Sequence, residues 1–197
     1  MTDIVLASGS ASRRALLAGA GIDAVSVKPN VDEDTAKAAM RSENMSVRDQ
    51  AMQLAEMKAV KVSRSTPGLV IGGDQMLNLE GEAFDKPVDL AAAKSHLRKL
   101  SDKSHHLETA LVVAEGGTPI WRVLTRPKLT VRALSEDYID NYVAACGEAL
   151  LTTVGAYQLE GRGSQLFTRI EGDYFSILGL PLLPLLDFFR TRGVLQS

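Results

Sequence analysis

An apolar run at residues 4–7 stops abruptly in five small residues, Ser8-Gly9-Ser10-Ala11-Ser12, and a helical pattern carrying Leu16 and Leu17 follows it. A short apolar segment bounded by small turn residues reads as a buried strand, and the change of period after it reads as a helix. Strand, turn and helix within twenty residues commit such a chain to layering helices on a sheet. Further strands are expected at 24–27, at 69–71 running into Gly72-Gly73-Asp74, and at 109–114 paired with 121–131 across Gly116-Gly117. A hairpin is expected around Glu80-Gly81-Glu82. Helices are expected at 47–62, at 90–100 behind an Asp89 cap, at 135–145 and at 183–191. Residues 30–34 read as an acidic loop, and 155–180, rich in glycine and β-formers, as a strand-rich region. The alternation lacks strict βαβ regularity, so the expected fold is α/β with a mixed sheet. A length of 197 residues suits one domain, or two small lobes sharing a core.

The charge balance removes several function classes. Lysine and arginine number 22 against 24 acidic residues, a formal net charge of -2. No broad basic field attracts a nucleic-acid backbone or an anionic membrane, and no aromatic-basic platform is present. Phosphate binding therefore has to come from a few placed cations. The one cysteine, Cys146, forbids an intramolecular disulfide, suits a reducing compartment and reads as a packing thiol. The segment at 1–7 has no basic stretch ahead of a long apolar one, so it does not read as a signal peptide. The apolar run at 177–186 is short and broken by Gly179, Pro181 and Pro184, so it does not read as a span. A cytoplasmic location is the expectation.

Four places could carry chemistry. The turn Ser8 to Ser12 with Arg13 and Arg14 offers close backbone approach, a helix start and bidentate donors for phosphate. It reads equally as a capped helix with two solvated arginines, since it is neither a Walker nor a Rossmann pattern. Asp74 follows two glycines after an apolar strand, where ligands of α/β sheets collect, and could hold Mg²⁺ or orient a water. The bland reading is a turn aspartate bonding its own backbone. Glu33, Lys58 and Lys86 form a dispersed set, each of which alone reads as a solvated surface charge. The glycine-dense stretch Gly155 to Gly163 reads as a ligand-approaching loop or as a bulged hairpin. His96, His105 and His106 have no zinc spacing and read as surface or turn residues, and Trp121 reads as a packing residue or a strand-edge anchor.

Taken in order, several segments resemble the Maf family of nucleotide pyrophosphatases over nearly the whole chain. They are Leu6-Ala7-Ser8-Gly9-Ser10 with Arg13, Glu33, Lys58-Ala59, Gly73-Asp74, Lys86-Pro87, Gly155-Ala156-Tyr157 through Glu160-Gly161, and Gly172-Asp173-Tyr174 with Gly179-Leu180-Pro181. The resemblance implies one Maf-like domain over 1–197, a two-lobed α/β fold with a mixed twisted sheet flanked by helices, and a nucleotide cleft between the lobes. It implies attack of water on the α-phosphorus of a nucleoside triphosphate, releasing pyrophosphate and a monophosphate. Asp74 would accept the proton of that water. Ser8, Arg13, Lys58 and Lys86 would hold phosphates. Glu33 and Asp74 would help place a divalent metal, Mg²⁺ or Mn²⁺.

Departures from the family pattern bear on detail. Ala11-Ser12 stands where many members have proline before the arginines, so Arg13 and Arg14 are both candidates for the phosphate contact. Gln75 and Glu160 look more like the branch acting on 7-methylguanosine triphosphate. A carboxylate at 160 can accept from guanine N1–H and the 2-amino group, whereas an amide suits uracil or thymine. Gly155-Ala156-Tyr157 is closer to the pyrimidine-type pattern. The alternatives are a dTTP or UTP pyrophosphatase and a non-catalytic nucleotide-binding regulator of septum formation. The resemblance suggests a homodimer, although no apolar stripe demands one.

Overall fold

In the computed structural model, which describes residues 3–196, eight strands form a mixed sheet flanked by helices. Met1 and Thr2 of the N-terminal segment lie outside the described residues. The chain divides into two compact units: residues 3–75, 109–125 and 173–196 make the first, and residues 76–108 and 126–172 the second. Strands β3 (Leu69–Leu79) and β5 (Ser104–Glu115) contribute residues to both.

The first unit is built on β1 (Ile4–Ala7), which pairs in parallel with β2 (Ala24–Ser26) and with the start of β3. Every residue of β1 is buried, as expected for a parallel strand covered on both faces. Ile4 and Leu6 join a core with Leu17 of helix α1 (Ala11–Gly19) and with Leu185 and Phe189 of helix α7 (Leu182–Thr191). Val5 and Ala7 face Val62 of helix α3 (Val47–Ser63). Complete burial of one such leucine or phenylalanine contributes about 1.5–3 kcal/mol. Trp121 of β6 (Thr118–Thr125) stacks on Phe188 at 5.1 Å, the packing role expected of it.

Two expectations on this unit are corrected. The acidic stretch 30–34 is not all loop, since from Glu33 it is the start of helix α2 (Glu33–Ser42), whose N-cap Asp32 accepts from the Thr35 N–H at 3.1 Å. Strand β3 does not end at Asp74 but runs on to Leu79, so Asp74 lies within the strand and not at its carboxyl end. The glycine pair that read as a turn serves packing instead. A Cβ on Gly72 would stand 2.3 Å from the Ala55 carbonyl oxygen and 2.5 Å from the Ala59 nitrogen, both in α3.

In the second unit, β3 turns into β4 (Glu82–Phe84) through Glu80 and Gly81, both at positive φ, which is the expected hairpin. The expected strand at 121–131 is split at Arg126-Pro127. Its first part is β6, on the 109–115 half of β5; its second is β7 (Lys128–Val131), on residues 104–106. Helices α4 (Leu90–Leu100) and α5 (Glu136–Cys146) pack on each other, capped by Asp89 and Ser135. Of the stretch 155–180 expected to be strand-rich, only β8 (Phe167–Glu171) is a strand; short 3-10 turns cover 154–156 and 162–166, after another at 147–152. His105 is not a surface residue: it is fully buried, its Nε2 2.7 Å from the Tyr157 hydroxyl, beside Phe167. Among the described residues no helix is long and apolar enough to cross a membrane.

Two stability predictions follow from this packing. Gly72→Ala meets backbone that cannot step aside, so urea denaturation should show a loss of about 3 kcal/mol, the upper end of overpacking costs. His105 is held neutral mainly by burial, its pKa pulled down to about 4. The unfolded chain takes up that proton near pH 6.5 and the folded chain does not. Stability is therefore lost as pH falls from 6.5 to 4, by on the order of 3 kcal/mol. His105→Gln should flatten the pH dependence in that window relative to the parent.

Candidate active site

The first unit holds five of the expected residues in two bonded groups, Lys58 with Asp74 and Glu33, and Arg13 with Ser8. Lys58 lies on the buried face of α3, and its ammonium meets Asp74 Oδ1 at 2.7 Å and Glu33 Oε1 at 2.9 Å. Lys58 and Asp74 are nearly sealed, with side-chain exposures of 8% and 10%, while Glu33 is 38% exposed. A sealed lysine is costly unless paired, and here two carboxylates share it. α2 begins at Glu33, which sets that carboxylate in a first turn and not in a free loop.

Arg13 is buried beside them. Its Nε donates to the Gly179 carbonyl at 2.7 Å and its Nη1 to Ser8 Oγ at 3.2 Å. Two of its five N–H donors are thereby fixed inside the protein. A Cβ on Gly73 would come within 3.1 Å of Arg13 Nε, so the guanidinium lies against β3 at the residue before Asp74. Burial lowers the Arg13 pKa from its usual range, and the charges of Asp74 and Glu33 oppose that shift. Arg14, one residue on, is exposed. The structure thus separates the two arginines: one is anchored in the network, the other is solvated.

Ser8 Oγ accepts from both Arg13 and the Ser10 N–H, at 3.2 Å each, which leaves its own hydrogen to donate. Ser10 caps α1 by accepting from the Arg13 N–H. The capped-helix reading of this turn therefore holds, and the turn also aims an arginine inward.

Gln75 has a different environment. Its Nε2 donates to Thr109 Oγ1 at 2.8 Å and reaches the carbonyls of Ser176 and Ile177 at 3.0 and 3.1 Å. Ser176 and Ile177 belong to α6 (Tyr174–Ile177), capped by Asp173. Thr109 and Ser176 went unread in the sequence, since small hydroxyl residues at these places carry no signal of their own.

Lys86 and Glu160 lie in the second unit, and both are exposed. Glu160 sits in a turn closed by the Gly161 N–H on the Gln158 carbonyl. Among the described residues no group of three or more histidine, cysteine, aspartate or glutamate side chains is placed to hold a metal. What the first unit offers a cation is the oxygen pair of Asp74 and Glu33, the hard donor type that suits Mg²⁺ with water and phosphate oxygens completing its shell.

The first unit thus combines a mixed sheet, a buried lysine bridging two carboxylates and an anchored arginine with free N–H groups, donors of the kind that suit phosphate. The sequence profile of Maf-like proteins matches residues 3–192, and the chain belongs to that family. It is 69% identical over 98% of its length to a nucleoside triphosphate pyrophosphatase of Hyphomonas neptunium, 98% of which is covered. It is 51% identical to another of that name from Caulobacter vibrioides, over 99% of this chain and 98% of that protein. A 7-methyl-GTP pyrophosphatase of Mesorhizobium japonicum is 46% identical, with 98% of each chain covered.

The network predicts an asymmetry in stability. Lys58→Met strands two carboxylates, one of them buried, and should cost about 3 kcal/mol in urea denaturation. Asp74→Asn keeps the shape and an acceptor and leaves Glu33 paired with Lys58, so its cost should be nearer 1 kcal/mol.

Proposed function

We propose that this chain hydrolyses a nucleoside triphosphate to the monophosphate and pyrophosphate. The observation that carries the reading is the shared ammonium of Lys58, within 3 Å of both Asp74 and Glu33. A lysine held by two carboxylates can turn to a polyphosphate and free a carboxylate as it does so. The names of the nearly full-length relatives support the same reaction.

In this reading water attacks the α-phosphorus and Asp74 accepts its proton, which needs only hydrogen-bond reach. Lys58 and the uncommitted N–H groups of Arg13 carry the charge that builds on the departing pyrophosphate, and the Ser8 hydroxyl donates to a phosphate oxygen. Lys86 would add a further cation, and Arg14 a solvated one. Asp74 and Glu33 would hold a divalent cation, probed first as Mg²⁺; such an ion lowers the charge of the triphosphate and polarises it. The reaction suits a cytoplasmic enzyme acting on free nucleotides.

For the base, the reading leans to 7-methylguanosine triphosphate. Glu160 is exposed and its carboxylate can accept two hydrogen bonds from a guanine edge. Two relatives, 46% and 45% identical, carry the name 7-methyl-GTP pyrophosphatase. The Gly155-Ala156-Tyr157 pattern, which favours a pyrimidine, has a packing explanation, since all three residues are buried and the Tyr157 hydroxyl is taken by His105.

Purified protein with Mg²⁺ and a panel of 7-methylguanosine, guanosine, uridine and thymidine triphosphates tests both levels. Pyrophosphate from none of them overturns the reaction; preference for a pyrimidine triphosphate overturns the guanine reading. Asp74→Asn should lower kcat by about a hundred- to ten-thousandfold while remaining folded. Chelation should stop turnover, and returned Mg²⁺ should restore it.

A further inference from the structure

We infer that the buried pair of His105 and Tyr157 anchors the turn that presents Glu160, so that both are positioning residues for base selection. This rests on the reading of Glu160 as the residue that meets the base. Neither side chain reaches a ligand itself, since His105 is fully buried and Tyr157 is 5% exposed.

A polar ring sealed in a core is costly unless it is hydrogen-bonded. His105 stands on β5 in register with Leu129 of β7, which fixes its backbone to two paired strands. Its Nε2 lies 2.7 Å from the Tyr157 hydroxyl, while its Nδ1 is buried with no partner among the described residues. The ring therefore commits its hydrogen bonding to Tyr157 alone. Burial pulls the His105 pKa down to about 4 and pushes that of Tyr157 up, so the pair is neutral and one hydrogen lies between them in either tautomer.

The pair grips the segment carrying Glu160 at both ends. Tyr157 is the last residue before the turn at 158–163, and Phe167 opens the strand after it. The Tyr157 and Phe167 rings meet edge to face at 4.9 Å, and the His105 ring lies 5.7 and 6.2 Å from them. Between these ends the turn closes on its own main chain. The Gly161 N–H donates to the Gln158 carbonyl at 3.2 Å, and a Cβ on Gly163 would stand 2.4 Å from that same oxygen. Such a turn moves as one piece, and the exposed Glu160 moves with it. Loss of the bond between His105 and Tyr157 leaves the turn intact and loosens its attachment. A carboxylate that accepts two hydrogen bonds from a base edge then loses their alignment, and hydrogen bonds weaken steeply with angle. The cost falls on discrimination among bases and spares the phosphate chemistry.

The test compares Tyr157→Phe, His105→Leu and His105→Gln, and repeats Tyr157→Phe in a Glu160→Ala background. Its measure is the ratio of kcat/KM between the best and the poorest triphosphate of the panel. Tyr157→Phe removes only the hydroxyl and should narrow that ratio about tenfold. The change should lie in KM for the favoured base, with kcat within about twofold of the parent. His105→Leu should do the same. His105→Gln, whose amide takes the place of Nε2, should keep most of the ratio. In Glu160→Ala, adding Tyr157→Phe should leave the ratio unchanged, because the hydroxyl acts through the carboxylate. An unchanged ratio in Tyr157→Phe overturns the inference, as does equal narrowing without Glu160 or a uniform loss of kcat on all four substrates. Hydrogen exchange adds a readout that needs no turnover. The Arg132 N–H, held by the Leu166 carbonyl at 2.8 Å just ahead of Phe167, should exchange about tenfold faster in Tyr157→Phe, with Gly161 at its parental rate. Parental exchange at Arg132 overturns the anchor. A parent that hydrolyses no triphosphate overturns only the function reading, and one that prefers a pyrimidine only the guanine reading, with the narrowing then read on that pyrimidine.

Discussion

A single ammonium group organises the first unit. Lys58 is almost sealed from water and would be costly there without its two carboxylates. Its presence dictates that α3 lie close on β3, that Asp74 point toward that helix, and that α2 begin where Glu33 can reach across. Arg13 adds a second buried cation against the same strand. Lys58 and Arg13 on one side and Asp74 and Glu33 on the other make a group whose formal charge is balanced before any ligand arrives. In the proposed reaction a polyphosphate would compete with the carboxylates for Lys58.

Much of the fold was legible in the chain. The apolar run of β1, the caps of α4 and α5, the hairpin at Glu80-Gly81 and the helix at 47–62 all carry local signals that tertiary structure left in place. What failed was what depends on partners. Gly72-Gly73 read as a break, because a strand that hosts a helix against its backbone uses the same residues as a turn. α2 was hidden by its acidic opening, which is a helix start when Asp32 caps it and a loop when nothing does. His105 looked like a surface residue, since nothing local announces a buried pair with Tyr157. The stretch 155–180 is rich in glycine and β-formers, yet much of it folds into short turns and only 167–171 is a strand.

The candidate site shows the same division. Residue types and order pointed to Asp74, Lys58, Glu33, Ser8 and Arg13, and the first unit holds those five in two bonded groups. Their linkage was not legible. Sequence order does not say that Lys58 bridges two acids, that Arg13 faces inward while Arg14 faces water, or that the Gln75 amide meets Thr109. Each of these is decided by which face of an element is covered, and a covering element is distant in sequence.

The contact of Gly72 with α3 has a consequence for how this site can vary. The atoms that close on it are mainly the helix backbone at Ala55 and Ala59, one residue from Lys58. Where two main chains touch, the spacing between lysine and aspartate is set by peptide geometry and not by the volume of packed side chains. No trimming of a neighbouring side chain makes room for a larger residue at 72, so the ruler that spaces Lys58 from Asp74 is the polypeptide itself.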